Sequence, residues 1–210
     1  MYNVSIKVKG CDIMTSVEKI LNFINENKGI ASTPDIVKLG IDKKYLSLMI
    51  RKGLIERASR GVYVLPNTLE DEFYAIGVRC KRGIFSHDTA LFLHDLSDRM
   101  PLNFSITLPK GYNPISLKRL NIEFFYVKPE FQSLGKIRMI SPQGKEIFAY
   151  DMERTVCDIV RSKNRMDMQI FTDALKRYSK RKDKDLSKLM KYAIVFKIDK
   201  KIREYMEVLI

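Results

Sequence analysis

Six cationic side chains, Lys43, Lys44, Arg51, Lys52, Arg57 and Arg60, fall within one short stretch of the chain. Tyr45, Ser47, Leu48 and Ser59 stand among them, and Ser32 and Thr33 lie just upstream. These are the groups that nucleic-acid recognition uses. Ammonium and guanidinium groups bind phosphate oxygens, a guanidinium also forks onto a guanine edge, hydroxyls bond to either, and apolar side chains meet the thymine methyl. Any one of these charges alone reads as a solvated surface residue. Their concentration in a few short elements points to double-stranded DNA as a partner.

Other candidate chemistry is sparse. His87 and His94 are the only histidines, each followed by an aspartate, Asp88 and Asp95. Seven residues apart on one helix, they stand about 10 Å apart along its axis, too far to share one metal ion. They read as side chains that cap or pack at the ends of a short helix. Asp151, Glu153 and Arg154 read in the same way as a helix N-terminus, with carboxylates placed against the helix dipole. No nucleophile elbow, phosphate-binding glycine loop, HExxH or dinucleotide fingerprint is present. We expect no enzyme, no cofactor and no metal. The competing reading is a nucleic-acid-processing enzyme with His87, His94 and the nearby acids as its site.

The elements that must position the cationic groups follow from period and punctuation. Val17, Ile20, Leu21 and Ile24 recur at helical spacing, which predicts a helix from Thr15 or Ser16 to about Asn27. A second begins at Ser32 or Thr33, with Pro34 in its first turn and Asp35 at the positive end of its dipole, and stops at Gly40. A third, 43–52, is capped by Asp42. It turns Leu46, Met49 and Ile50 inward and Lys44, Ser47, Leu48 and Arg51 outward. Two β-prone runs, 54–57 and 62–65, are joined through Ala-Ser-Arg-Gly. Two helices at a tight turn followed by a hairpin predict a winged helix-turn-helix over 1–66, within which residues 1–13 fit no element. The third helix would enter the major groove, and Arg57 and Arg60 on the wing would touch phosphate.

Residues 67–210 read as a second domain of mixed α+β type. A helix capped by Thr68 and running to Gly83 through Leu69, Phe73, Ile76 and Cys80 would bridge to it. Ser86 caps a short helix that stops before Pro101. Strands are expected at 104–108, 122–127, 137–140 and 146–149, and Asp151 opens a helix to about Ser162. Three apolar stripes follow: Ile170, Phe171, Ala174, Leu175 and Tyr178; Leu186, Leu189, Met190, Ala193 and Phe196; and Ile202, Tyr205, Met206 and Leu209.

Charge is unevenly spread. The net charge is +13, and residues 66–160 carry 12 basic and 12 acidic side chains, so the surplus lies at the two ends. Residues 161–203 hold 15 basic against 5 acidic side chains, which makes the C-terminal helices a second polyanion-attracting surface. No apolar run is long enough to span a membrane, and the first residues lack a signal-type apolar core. Cys11, Cys80 and Cys157 form no pair or zinc pattern, which suits a reducing compartment. A cytoplasmic protein with no membrane partner is expected.

Four motifs together resemble the AbiEi family of antitoxin-like transcriptional regulators. They are the Thr33–Pro66 unit ending in Arg60-Gly61-Val62-Tyr63-Val64-Leu65-Pro66; Phe85-Ser86-His87-Asp88-Thr89-Ala90-Leu91 with Leu96-Ser97-Asp98; Ile106-Thr107-Leu108-Pro109-Lys110-Gly111; and Asp151-Met152-Glu153-Arg154-Thr155-Val156-Cys157-Asp158. The resemblance implies a type IV antitoxin of two activities. Its winged helix would bind operator inverted repeats and repress its own operon. Its second domain would counteract a nucleotidyltransferase-like toxin without a stable complex, in a system linked to abortive phage infection. Candidates for that antitoxic surface are Arg177, Lys180, Arg181, Lys182, Lys188 and Lys191. The alternative is a stand-alone winged-helix regulator whose second domain dimerises or senses a ligand.

Overall fold

A computed structural model describes residues 11–114, 117 and 120–209, with side chains from Ser16 onward. The sequence expectation for residues 1–10 lies outside the described residues. The chain divides into two compact units, Met1–Arg79 with Pro142–Gly144, and Cys80–Ser141 with Lys145–Ile210. Helices and two small sheets alternate, so the fold is α+β, as the pattern predicts.

The first unit runs α1 (Cys11–Glu26), β1 (Ile30–Ser32), α2 (Thr33–Lys38), α3 (Lys44–Arg51), β2 (Glu56–Ser59), β3 (Val62–Val64) and α4 (Glu72–Arg79). Its strands pair antiparallel in the order β1-β3-β2. Ile20, Ile24, Ala31, Ile36, Ile41, Leu46, Met49 and Ile55 form one apolar core shared by α1, α2 and α3. Ile30, Val62, Val64 and Ala75 form another, between the strands and α4.

Several expectations are corrected here. Residues 11–13 belong to α1, and β1 is a strand where none was expected. The wing reverses at Arg60-Gly61 rather than across Ala58–Gly61, because Gly61 takes the left-handed backbone (φ 83°) that a tight turn needs. Asp71, not Thr68, starts α4 by accepting the Tyr74 amide (3.0 Å), and Leu69 is left 84% exposed. The helix ends at Arg79 and groups with the first unit. Ile50 lies outside the core at 37% exposure, and half-buried Tyr45 packs there instead.

The second unit carries β4 (Ile84–Phe85), α5 (His87–Leu93), β5 (Phe104–Pro109), β6 (Ile122–Val127), β7 (Lys136–Ile140), β8 (Glu146–Tyr150), α6 (Met152–Arg161), α7 (Met168–Lys180), α8 (Leu186–Val195) and α9 (Asp199–Leu209). The sheet order is β6-β5-β4-β8-β7. The pairs β5/β6 and β4/β8 are parallel, the other two antiparallel. The centre of the unit is α6, buried from Met152 through Val160. Asp151 caps it by accepting the Arg154 amide (2.8 Å). Leu91, Phe171, Ala174, Tyr178, Leu189, Ala193 and Ile202 close around its Val156 and Cys157 as one core. Leu186, expected in that stripe, is 40% exposed. Ser86 stands at the α5 N-cap position but makes no cap bond, its hydroxyl being used elsewhere. Among the described residues no helix is long and apolar enough to cross a membrane.

Candidate nucleic-acid interface

The interface is built on α3. Leu46 and Met49 anchor it in the core, and Asp42 accepts the Lys44 amide (2.8 Å) from two residues before, although Lys43 occupies the cap position itself. With that face fixed inward, Lys44, Ser47 and Arg51 stand exposed at i, i+3 and i+7, one stripe along the helix. At 1.5 Å per residue this stripe is about 10 Å long, comparable to the roughly 12 Å width of the major groove. Lys43 and Lys52 are exposed at its two ends, while Tyr45 and Leu48 are half-buried at its flanks. Lys44 comes within 3.7 Å of the Asp42 carboxylate, both largely exposed, a pair that solvent screens and a phosphate can displace.

A network around Asp35 ties the start of α2 to β1 and α4. Ser32 donates both its amide (3.0 Å) and its hydroxyl (2.5 Å) to Oδ2 of Asp35, and its own Oγ accepts the Asp35 amide (3.4 Å). This is a complete capping box. Tyr74 of α4 donates to the same oxygen (2.6 Å), and the Thr33 amide donates to the Gly61 carbonyl at the wing tip (2.8 Å). Burial alone would raise the Asp35 carboxyl, but the donors from Ser32 and Tyr74, with Lys38 nearby, hold it below its ordinary value. Burial and the Asp35 carboxylate push the Tyr74 hydroxyl up. Ser32 is itself buried, so this candidate contact is spent on the cap and leaves the proposed DNA-facing set. Thr33 is half-buried beside the wing tip. The link from α4 to α2 spans 39 positions, and no local pattern could have signalled it.

On the wing, Arg57 and Arg60 are exposed and Ser59 is half-buried. The order α1-β1-α2-α3-β2-β3, with an exposed basic stripe on the second helix of the turn, is that of a winged helix-turn-helix. Residues 18–66 match the family model described as "Transcriptional regulator, AbiEi antitoxin". The AbiEi match thus covers α1 from Glu18, the turn helices and the wing, and it stops before α4. No curated protein matches the chain. Over 86% of this chain and 71% of the other, the fold is similar to the crystal structure of the RV2827C protein from Mycobacterium tuberculosis, with a TM-score of 0.58 and 11% identity. That likeness concerns the fold alone.

Beyond the AbiEi-matched segment, the structure sorts the six cationic candidates of the C-terminal helices into two groups. Arg177 is forked onto Asp98, Arg181 onto Asp183 (2.8 Å twice), and Lys188 lies 2.9 Å from Asp151 and 3.4 Å from Glu153. Their charge is largely answered within the chain. Lys180, Lys182 and Lys191 are exposed to solvent. As for catalysis, His94 bonds to the Tyr150 carbonyl (2.7 Å) and His87 to Ser86 and Ser162 (3.0 Å each). Among the described residues no group of three His, Cys, Asp or Glu side chains is arranged to hold a metal ion.

Proposed function

We propose that the chain is a DNA-binding transcriptional regulator of the antitoxin type. Its α3 reads base edges in an operator of inverted repeats upstream of its own operon, through Lys44, Ser47 and Arg51, with Lys43 and Lys52 on flanking phosphates and Tyr45 and Leu48 giving apolar contact. The wing adds Arg57 and Arg60 on the backbone, beside Thr33 and Ser59. The observation that carries this reading is the exposed basic stripe on the second turn helix, inside a segment that matches a family of transcriptional regulators.

The wing assignment has its own signature. A phosphate contact is blind to sequence, so Arg60→Ala should lower the slope of log affinity against log salt by about 1, equally for operator and random duplex. Salt-titrated binding of both duplexes checks this. A change in sequence preference at an unchanged slope would make the wing a base reader instead.

The second unit, on the same proposal, counteracts a nucleotidyltransferase-like toxin without forming a stable complex, and the protein works in the cytoplasm. Its antitoxic surface is drawn from the six C-terminal candidates and reduces in practice to Lys180, Lys182 and Lys191, which are exposed and form no ion pair among the described residues. Co-expression with a neighbouring toxin gene and a promoter reporter tests both halves. Lys44→Ala with Arg51→Ala should lose repression and keep rescue, whereas Lys180→Glu, Lys182→Glu and Lys191→Glu together should keep repression and lose rescue. Loss of both activities in either folded variant would contradict separable roles.

A further inference from the structure

Within the second unit a polar cleft of about 110 Å³ opens beside β6, the start of α5 and the end of α6. One water needs about 10–15 Å³ of such space, so the cleft has room for a small polyatomic ion. Three guanidinium groups reach it: Arg154 and Arg161 of α6, and Arg165 just beyond.

Arg154 is the least ordinary of them. It is fully buried, lies over the rings of Tyr150 (4.1 Å) and Phe196 (4.4 Å), and its Nη1 donates to the carbonyls of Phe131 (2.9 Å) and Leu134 (2.8 Å). Gly135 permits this: a Cβ there would lie 2.6 Å from the Arg154 Cβ. Nε donates to Asp158 (3.0 Å), but Nη2 is buried with no partner among the described residues. In a guanidinium Nη2 shares an edge with Nε, so the orphan donor lies on the Asp158 side, and Asp158 lines the cleft. A buried unpaired donor is costly and calls for an acceptor.

The other donors are arranged around the same space. Arg161 donates to Asp158 (3.0 Å), and Arg165 donates to Glu123 (2.6 Å) and lies 4.1 Å over the Phe125 ring. In direct contact, three guanidiniums thus meet two carboxylates, with Asp88 as a further acid near Glu123 whose carboxyl burial pushes up to about 6. His87 adds no charge: burial, then Arg161, Arg165 and Arg154, hold its imidazole well below its ordinary value and therefore neutral. It is stacked on Phe125 at 3.4 Å and held there by a left-handed backbone (φ 45°), a strained conformation for a side chain of its size.

Both of its ring nitrogens are engaged. Thr107 donates to Ser86 (2.9 Å), and the Ser86 hydroxyl in turn lies 3.0 Å from Nδ1 of His87. Nε2 lies 3.0 Å from Ser162 Oγ, and with the imidazole proton on Nε2 the Ser162 hydrogen is left for another acceptor. Ser162 lines the cleft. In the Nε2–H tautomer this hydroxyl can donate to an acceptor in the cleft.

We propose that this cleft binds a phosphate group, free or as a monoester, through Arg154 Nη2, Arg161, Arg165 and the Ser162 hydroxyl. Donors from several directions suit a tetrahedral dianion, whereas a planar carboxylate is satisfied by one guanidinium fork. The site lies wholly in the second unit and does not rest on the DNA-binding reading.

Calorimetric titration of the full chain in a fixed chloride background tests it, with inorganic phosphate in one arm and AMP in the other. Saturable binding is expected, weakened roughly tenfold by Arg161→Ala or Arg165→Ala and unchanged by Lys200→Ala outside the cleft. Tighter AMP than phosphate binding identifies an esterified ligand, and equal binding a free one. In the unmodified chain, phosphate should also shift the His87 imidazole nitrogen resonances with the same dissociation constant. No saturable binding, a loss no greater than in the Lys200 variant, or unmoved His87 resonances at saturation would overturn the site.

Discussion

Lys44→Ala combined with Arg51→Ala is expected to lower operator affinity by about 2–5 kcal/mol, roughly thirtyfold to several-thousandfold. The two side chains stand seven residues apart on α3, about 10 Å along the helix, so each meets a different base step or phosphate and their losses should nearly add. Both are exposed and the anchors Leu46 and Met49 are untouched, so the unfolding transition should stay within about 0.5 kcal/mol of the parent. A fluorescence-anisotropy titration with operator duplex reads the effect. A loss under threefold would remove α3 from base readout.

The largest stability effect is expected at Asp158. Its side chain is 2% exposed and accepts from Arg154 (3.0 Å) and Arg161 (3.0 Å), and Arg154 is 0% exposed. Asp158→Ala leaves a fully buried guanidinium with its counter-charge removed, a change that costs about 3–5 kcal/mol. Against the ~5–15 kcal/mol of a typical domain this is a large fraction. Since α6 is the centre of its unit, the loss should spread through the packing of α7, α8 and α9 rather than stay local. Urea unfolding followed by circular dichroism should show the transition of the second unit at clearly lower denaturant. Asp158→Asn keeps acceptor and shape while losing the charge, and should cost less. Equal midpoints for parent and Asp158→Ala would mean that the ion pair holds little of the fold.

Much of this architecture is legible from residue order. The strands β5 to β8 and the helix behind Asp151 are bounded by turn residues and caps whose chemistry is local, and α7, α8 and α9 carry long apolar stripes. Short elements were not legible: β1 and β4 have three and two residues, too few for an alternation to register. Thr68 followed by Asp71 imitates a capping box, but Asp71 is the functioning cap, and an 84% exposed Leu69 shows that no helical face exists there.

The site divides along the same line. The outward stripe of α3 follows from helical period, since Leu46 and Met49 fix which face is inward. That Ser32 is consumed by Asp35 depends partly on Tyr74, 39 positions away, and the His87 tie to Ser162 spans 75. Arg181 and Asp183 are near neighbours in sequence, whereas the pairing of Arg177 with Asp98 across 79 positions is a product of the fold. Long-range pairing decides which charges remain available, and sequence period does not encode it.

The most direct measurement is the affinity of the full chain for the duplex upstream of its own reading frame and for a scrambled duplex of equal length, each across a range of salt. A winged-helix regulator with a basic α3 stripe and wing should bind the upstream duplex about a thousandfold or more tighter at physiological salt. Log affinity should fall linearly with log salt for both, since phosphate contacts are shared. Equal affinity for the two duplexes, or affinity that salt leaves unchanged, would contradict sequence-specific DNA binding by this chain.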